Sequence, residues 1–222
     1  MIELKREGDV FVLRMEAGEN RFHPDFLAAM DRALTEVEQA EGPKALVTTG
    51  SGKFYSNGLD LDWLGAHQEE FVPYLESVNG LYARFLELPA PTVAAVNGHA
   101  FAGGGMLALA QDFAVMRTDR GYFCLPEVDL GMSFTPGMSA LIQSRLTAPV
   151  AHEAMLTGRR YTAEEAREAG IVQRTADEAG VLPAAIELAA SLAAKNGGTV
   201  KAIRVGMYKG TIAALRGPAL PE

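Results

Sequence analysis

Short apolar segments that alternate with segments of helical periodicity constrain the fold of this chain more than any other feature. Ala45–Thr49 and Thr92–Val96 carry no charged side chain, which is typical of strands covered on both faces of a sheet. The segments that begin at Asp25 and that span 71–88 repeat apolar residues every three or four positions and predict amphipathic helices. Because strands that alternate with helices need crossover connections, the sequence predicts an α/β fold with a parallel sheet.

Other patterns extend this alternation to both ends of the chain. Residues 2–5 and Val10–Met15 flank a Glu-Gly-Asp turn and predict an antiparallel hairpin. Residues 112–116 and 171–173 predict two further strands. Helical patterns beyond the glycine-rich middle of the chain lie at 138–145, 150–156, 163–169, 182–194 and 200–212.

Charge and cysteine content exclude several classes of function. The 20 Lys and Arg residues are outnumbered by 28 Asp and Glu, and the formal net charge of −8 argues against a nucleic-acid or anionic-membrane partner. Cys124 is the only cysteine, so the chain has no internal disulfide and too few thiolates for a structural zinc site. Since no apolar run is long enough to span a membrane and charges stand near the N-terminus, we expect a cytoplasmic protein without a bound metal.

Two glycine-rich segments follow the predicted buried strands. Residues 50–58 leave the first strand, where open sheets bind ligands at the carboxyl ends of their strands, although an ordinary turn explains the segment equally well. Residues 97–105, Asn-Gly-His-Ala-Phe-Ala-Gly-Gly-Gly, lie between a strand and a predicted helix. Because the first N–H groups of a helix lack partners, this segment suits an oxyanion; close packing of helix on sheet is the alternative. Neither segment has the order of a phosphate loop or a dinucleotide fingerprint.

One carboxylate stands out after the glycine segments. Glu127 follows Pro126 among apolar residues, and desolvation is expected to raise its pKa toward the range of a general base. A solvated surface glutamate is the ordinary explanation of any single Glu. Asp129 is a second candidate base, which shares a face with Glu127 if the segment is extended. Cys124 is expected to be an inert buried thiol, because no histidine lies near it in sequence.

In combination, these segments resemble the enoyl-CoA hydratase/isomerase (crotonase) family. The resemblance is carried by Phe-Tyr-Ser-Asn-Gly-Leu-Asp-Leu at 54–61, Pro-Thr-Val-Ala-Ala-Val-Asn-Gly-His-Ala-Phe-Ala-Gly-Gly-Gly at 91–105, Asp112, Leu-Pro-Glu at 125–127 through Gly131, and residues 156–172. The resemblance implies a crotonase-like spiral of ββα units. It implies an α/β core with an acyl-CoA site over residues 1–148, and a helical C-terminal trimerisation region over residues 149–222.

The resemblance also implies which residues form the site. In this family two backbone N–H groups hold the thioester oxygen, and by position these belong to Leu59 and Gly104, with Glu127 as the catalytic carboxylate. The implied substrate-binding residues are Asn57, Gly58, Leu59, Asp60, Leu61 and Gly104. CoA is part of the substrate, so we expect no separate cofactor. The implied assembly is a homotrimer or a hexamer, and the alanine-rich segment 184–194 favours subunit packing as well.

The acid–base residues distinguish between members of the family. The hydratases carry two glutamates, whereas this chain has Leu107 at the first position and Glu127 at the second. Addition of water needs one group to activate water and another to protonate carbon, while a 1,3-proton shift needs a single carboxylate. The chain therefore most resembles the single-glutamate Δ3,Δ2-enoyl-CoA isomerases. This resemblance implies conversion of a 3-enoyl-CoA to a 2-enoyl-CoA through a thioester dienolate in fatty acid degradation.

Other functions stay open at the level of sequence. Enoyl-CoA hydration, thioester hydrolysis and decarboxylation all use the same oxyanion donors. Asp60 is a candidate for assisting hydration, although side-chain bonds to its own loop are favoured. A non-catalytic acyl-CoA binder is favoured if the pocket excludes Glu127 or is filled by the side chains of Phe101, Met132 and Phe134.

Overall fold

Two β-sheets organise the fold in the computed structural model, which describes residues 1–220. The strands are β1 (Ile2–Glu7), β2 (Val10–Met15), β3 (Ala45–Thr49), β4 (Phe54–Ser56), β5 (Thr92–Val96), β6 (His99–Phe101), β7 (Phe113–Arg117), β8 (Phe123–Cys124) and β9 (Arg174–Ala176). The helices are α1 (Pro24–Gln39), α2 (Leu61–Ala66), α3 (Phe71–Glu87), α4 (Gly103–Leu109), α5 (Pro136–Arg145), α6 (Ala148–Thr157), α7 (Ala163–Glu168), α8 (Val181–Leu192), α9 (Gly197–Met207) and α10 (Lys209–Arg216). None of these helices is long and apolar enough to cross a membrane.

The chain visits the two sheets in turn. The larger sheet has the order β1-β2-β3-β5-β7-β9, and only the β1–β2 hairpin is antiparallel. The smaller sheet has the order β4-β6-β8, with parallel pairs throughout. Each of β3, β5 and β7 is followed by one strand of the smaller sheet and then by helical structure. The expected α/β fold, the parallel sheet and the succession of ββα units are therefore confirmed.

Helices cover both faces of the larger sheet, which explains why β3 and β5 contain no charged residue. On one face, Val47 and Val93 pack against α8 through Ala185 and Ala189. On the other face, Leu46 lies in the larger core together with α1 and α3. Ala185, Ala189 and Ala193 are therefore not available to a second subunit, whereas Ala190 and Ala194 are exposed. Subunit packing through residues 184–194 stays a prediction.

Two predicted elements differ from the structure. Residues 171–173 are not a strand; the strand is Arg174–Ala176, which pairs with β7. Ile171 and Val172 are buried, but they lie in the turn after α7, where the Ile171 and Val172 N–H groups bond to the Ala166 carbonyl. The single helix expected at 200–212 is two helices, because the backbone leaves helical geometry at Tyr208, with φ −111° and ψ 24°.

A buried arginine joins the C-terminal helices to the sheet. Arg204 of α9 is 3% exposed, and its guanidinium donates to both carboxylate oxygens of Asp112, at 2.8 and 2.6 Å. It also donates to three carbonyl oxygens, that of Phe85 in the last turn of α3 and those of Leu88 and Ala90 in the connection to β5. The helix α10 packs on α3 and α5. The division of the chain at residue 148 stays a prediction.

Candidate active site

The two glycine-rich segments meet backbone to backbone. A Cβ on Gly58, whose φ is 77°, would lie 2.5 Å from the Gly103 nitrogen. A Cβ on Gly104 would lie 2.1 Å from the carbonyl oxygen of Ser56. No side chain fits at these distances, so only glycine permits the approach. The segment 50–58 is therefore more than an ordinary turn: it contains β4, and its end is packed against the start of α4.

The N–H groups of Leu59 and Gly104 adjoin this contact. The glycines 103–105 form the first turn of α4 rather than a loop before it. Their N–H groups are therefore free of the helical ladder. Within residues 1–220, neither the Leu59 N–H nor the Gly104 N–H has an acceptor in the protein. The two donors implied by the resemblance are thus both unpaired and lie on adjoining segments.

Glu127 is buried with one carboxylate oxygen unpaired. It lies in a single 3₁₀ turn, Pro126–Val128, and is 7% exposed. Its Oε2 is buried and has no hydrogen-bond partner among the residues that the structure describes. Burial raises the pKa of this carboxyl from 4.5 to about 7. A carboxyl that titrates near neutral pH is suited to accept and return a proton.

The neighbours of Glu127 are partly those expected from sequence. Leu125 is buried as expected, but Val128 is 45% exposed. Asp129 is also exposed, and because the segment is a turn rather than extended, it does not share a face with Glu127. Cys124 is buried as expected, and desolvation raises the pKa of its thiol to about 11.

Two cavities meet at Glu127. The outer cavity has a volume of about 390 Å³ and the inner about 330 Å³, and Leu59, Glu127 and Met132 line both. Charged residues line the outer cavity, namely Arg21, Asp62 and Arg160. Mainly apolar residues line the inner cavity, among them Phe71, Leu75, Met106, Phe134 and Met138. The carboxyl thus lies between a compartment that contains charged side chains and one whose lining, apart from Glu127, is uncharged.

Some of the predicted binding residues line these cavities and others do not. Asn57, Leu59 and Leu61 line the outer cavity, whereas Gly58 and Gly104 are buried at the backbone contact. Asp60 lines neither cavity. Its side chain accepts a bond from the Trp63 N–H at 3.2 Å and caps α2, so the expectation that it holds its own loop is confirmed.

Leu107 lies in α4, is fully buried in the core and lines neither cavity.

Sequence reasoning missed the arginines of the outer cavity, Arg21 and Arg160. Both stand in segments without periodicity. Arg21 donates to Glu19 at 2.7 Å, two residues away, and to Asp62. Arg21 is thus already paired with two carboxylates. The second cation of the outer cavity is Arg160, whose guanidinium carbon lies 5.7 Å from the centre of the Phe101 ring.

Known proteins resemble this chain over almost its whole length. The family model for enoyl-CoA hydratase/isomerase matches residues 5–216. The chain is 40% identical to enoyl-CoA delta isomerase 2, peroxisomal, of Arabidopsis thaliana, over 94% of this chain and 92% of that protein. It is 38% identical to enoyl-CoA delta isomerase 3 of the same plant, over the same shares.

A solved structure shares the fold. An enoyl-CoA isomerase of Mycobacterium tuberculosis superposes with a TM-score of 0.90 at 26% identity, covering 97% of this chain and 94% of the other. The ββα succession, the match of the family model and this superposition agree. The chain belongs to the enoyl-CoA hydratase/isomerase family and has the crotonase fold.

Proposed function

We propose that this protein is a Δ3,Δ2-enoyl-CoA isomerase that acts in fatty acid degradation. The observation that carries the proposal is the position of Glu127, a buried carboxyl with a pKa of about 7 at the junction of the two cavities. Two relatives that are about two-fifths identical are named enoyl-CoA delta isomerases, which supports the same activity here.

In the proposed reaction Glu127 moves one proton. Its carboxylate takes a proton from C2 of a 3-enoyl-CoA, and the electron pair of that C–H bond forms a dienolate with the thioester carbonyl and the double bond. The N–H groups of Leu59 and Gly104 stabilise the negative charge on the thioester oxygen. The carboxyl then returns the proton to C4, which leaves the double bond between C2 and C3. No cofactor takes part beyond the CoA of the substrate itself.

The two cavities suit the two ends of such a substrate. The acyl tail fits the apolar inner cavity, and the phosphates of CoA fit the outer compartment that Arg21 and Arg160 line. In this placement the reacting carbons lie at Glu127 and Leu59, the residues common to both cavities. A pure acyl-CoA binder does not require a buried unpaired carboxyl at this junction.

The apolar residue at 107 disfavours hydration. Leu107 is buried in the core and supplies no carboxylate that could activate water with Glu127. Among the described residues that line the two cavities, the other carboxylate besides Glu127 is that of Asp62, in the outer cavity. The Asp62 side chain is 87% exposed and is paired with Arg21. Isomerisation, which uses one carboxylate, is therefore favoured over hydration, which uses two.

The variant Glu127→Gln tests the assignment. Glutamine keeps the shape of the side chain but cannot accept a proton, so we expect turnover of 3-hexenoyl-CoA to fall by about 10² to 10⁴. Binding of hexanoyl-CoA, measured by calorimetry, should stay close to that of the wild type. Crotonyl-CoA hydration, assayed on the same protein, should be far slower than isomerisation.

The matched control is Asp129→Asn, which neutralises an exposed carboxylate two residues away and should leave turnover unchanged. Unchanged turnover in Glu127→Gln would remove Glu127 from the mechanism. Hydration of crotonyl-CoA as fast as isomerisation of 3-hexenoyl-CoA would replace the isomerase assignment by a hydratase.

We also propose a homotrimer or hexamer and a cytoplasmic location. Exposed apolar side chains on the C-terminal helices support assembly, chiefly Leu156, Ile203 and Met207 at 59, 59 and 68% exposure. The single buried cysteine suits a reducing compartment. Fluorescence microscopy of a tagged protein separates the cytoplasm from the peroxisomal location named for two relatives in Arabidopsis thaliana.

A further inference from the structure

The peptide unit that carries the Gly104 N–H is held from behind by a buried phenol. The Tyr82 hydroxyl, on α3, donates to the carbonyl oxygen of Gly103 at 3.0 Å. That carbonyl and the Gly104 N–H belong to one peptide unit. Because a peptide unit is planar and trans, its C=O and N–H point in opposite directions. A bond that fixes the direction of the Gly103 carbonyl therefore also fixes the direction of the Gly104 N–H.

Close packing surrounds this phenol. Tyr82 is fully buried, and its ring lies edge-on to Phe22 at 6.4 Å between centroids. A Cβ on Gly103 would lie 2.9 Å from the Tyr82 Oη and 3.0 Å from the Phe22 ring. Desolvation, helped by the nearby Glu127 and Tyr74, raises the pKa of Tyr82 well above 10. The hydroxyl consequently remains a donor at every pH at which Glu127 works.

The second donor peptide is held in the same way. The carbonyl of Gly58, which shares a peptide unit with the Leu59 N–H, accepts a bond from the Phe22 N–H at 2.8 Å. The two peptides that present the unpaired N–H groups thus each have an anchored carbonyl. Phe22 supplies one anchor through its backbone and packs against Tyr82, which supplies the other through its side chain.

We propose that Tyr82 is a positioning residue whose hydroxyl aims and polarises the Gly104 N–H toward the thioester oxygen. The inference rests on the proposed function, because it takes Leu59 and Gly104 as the donors to that oxygen. An amide whose carbonyl accepts a hydrogen bond is a stronger donor through its N–H. A donor held in place before the charge develops needs no reorganisation during the reaction.

The test reads the thioester carbonyl directly. The probe is hexanoyl-CoA labelled with ¹³C at the thioester carbon, which has no double bond to move, and its C=O band is followed by isotope-edited infrared spectroscopy. In the wild type we expect the bound band at lower frequency than the free one. In Tyr82→Phe, which keeps the ring and removes the hydroxyl, the displacement should shrink. Its kcat on 3-hexenoyl-CoA should fall about tenfold with little change in KM, less than the roughly hundredfold loss for a direct donor.

Two companion variants separate positioning from folding. Tyr55→Phe is the matched control: Tyr55 is equally buried, and its hydroxyl bonds to Thr48 and Gln111 at 2.7 and 2.8 Å, away from both donor peptides. It should lower stability but leave the band displacement intact. Replacement of Tyr82 by 3-fluorotyrosine keeps the shape with a more acidic hydroxyl and should increase the displacement. This variant decides the question if Tyr82→Phe does not fold.

The outcomes are distinct. A wild-type displacement that neither change at residue 82 alters would overturn the role of Tyr82 and leave the proposed function standing. Absence of any displacement in the wild type would remove the donors themselves, and the role of Tyr82 would fall with them.

Discussion

A buried carboxyl without a full set of hydrogen-bond partners is costly to ionise, and in Glu127 this cost raises the pKa to the range that suits proton transfer. Its Oε2 has no partner within the described residues, and its pKa is raised to about 7. At neutral pH both protonation states are therefore populated. A single residue can then remove a proton from carbon and later return it, which the proposed 1,3-shift requires.

The pH dependence of turnover follows from this titration. Only the carboxylate form of Glu127 removes the proton, so we expect kcat/KM on 3-hexenoyl-CoA to rise with pH and to level off above about pH 7. Below that value the rate should fall about tenfold for each pH unit. A rate that stays constant from about pH 5.5 to pH 8.5 would contradict the assigned pKa.

The same titration affects stability. The pKa of Glu127 is raised from 4.5 in the unfolded chain to about 7 in the folded protein, so its contribution is fully present below about pH 4.5 and is lost as pH rises through about 7. Glu127→Gln has no charge to bury. Denaturant unfolding should therefore show it more stable than the wild type by up to about 3 kcal/mol at pH 8, with no such gain at pH 4.

Sequence reasoning reached Glu127 but could not reach Tyr82. Glu127 is unusual in the sequence because it is a carboxylate among apolar residues after a proline. Tyr82 occupies one of several apolar positions on the buried face of α3, and its partner is a carbonyl 21 residues away. A backbone carbonyl has no sequence signature, so such a bond becomes visible only in three dimensions.

At the scale of elements, the start of α4 is the most constrained segment. Gly104→Ala places a Cβ 2.1 Å from the Ser56 carbonyl oxygen, a backbone atom that cannot swing away. The two donor segments must then separate, and we expect turnover to fall by at least about a hundredfold. The measurement is kcat together with thermal unfolding.

Gly80→Ala provides the control. Gly80 lies within α3, and a Cβ there meets no atom within 4 Å. Alanine in a helix interior is expected to raise stability by up to about 1 kcal/mol. Turnover should be that of the wild type. Equal activity in the two variants would show that the contact between the donor segments is not needed.

Long elements were predictable from sequence, and short ones were not. The strands β3 and β5 and the helices α1 and α3 follow directly from runs and periodicity. The smaller sheet was missed because β4, β6 and β8 have only two or three residues each, too few to show a period. Residues 171–173 were mistaken for a strand because apolar residues report burial, whereas a strand is defined by its backbone bonds.

At the scale of the whole molecule, exposed apolar side chains predict association. Ile203 and Met207 lie one turn apart on α9, and both are more than half exposed. We expect sedimentation at micromolar concentration to give a trimer or a hexamer, and Met207→Glu to weaken it because a charge would enter the interface. Lys195→Glu, which changes an exposed cation, is the control. A stable wild-type monomer would contradict the proposed assembly.

Arg204, which joins the C-terminal helices to the sheet, lies far along the chain from the groups to which it donates. Asp112 and the carbonyls of Phe85, Leu88 and Ala90 all precede Arg204 by more than ninety residues. During synthesis, which proceeds from the N-terminus, these acceptors exist before their donor does, and until α9 emerges the Asp112 carboxylate has, among the described residues, only the Thr92 N–H and hydroxyl as protein donors. We therefore expect the C-terminal helices to dock late, onto a sheet already formed, with the Arg204 guanidinium displacing water from the end of α3.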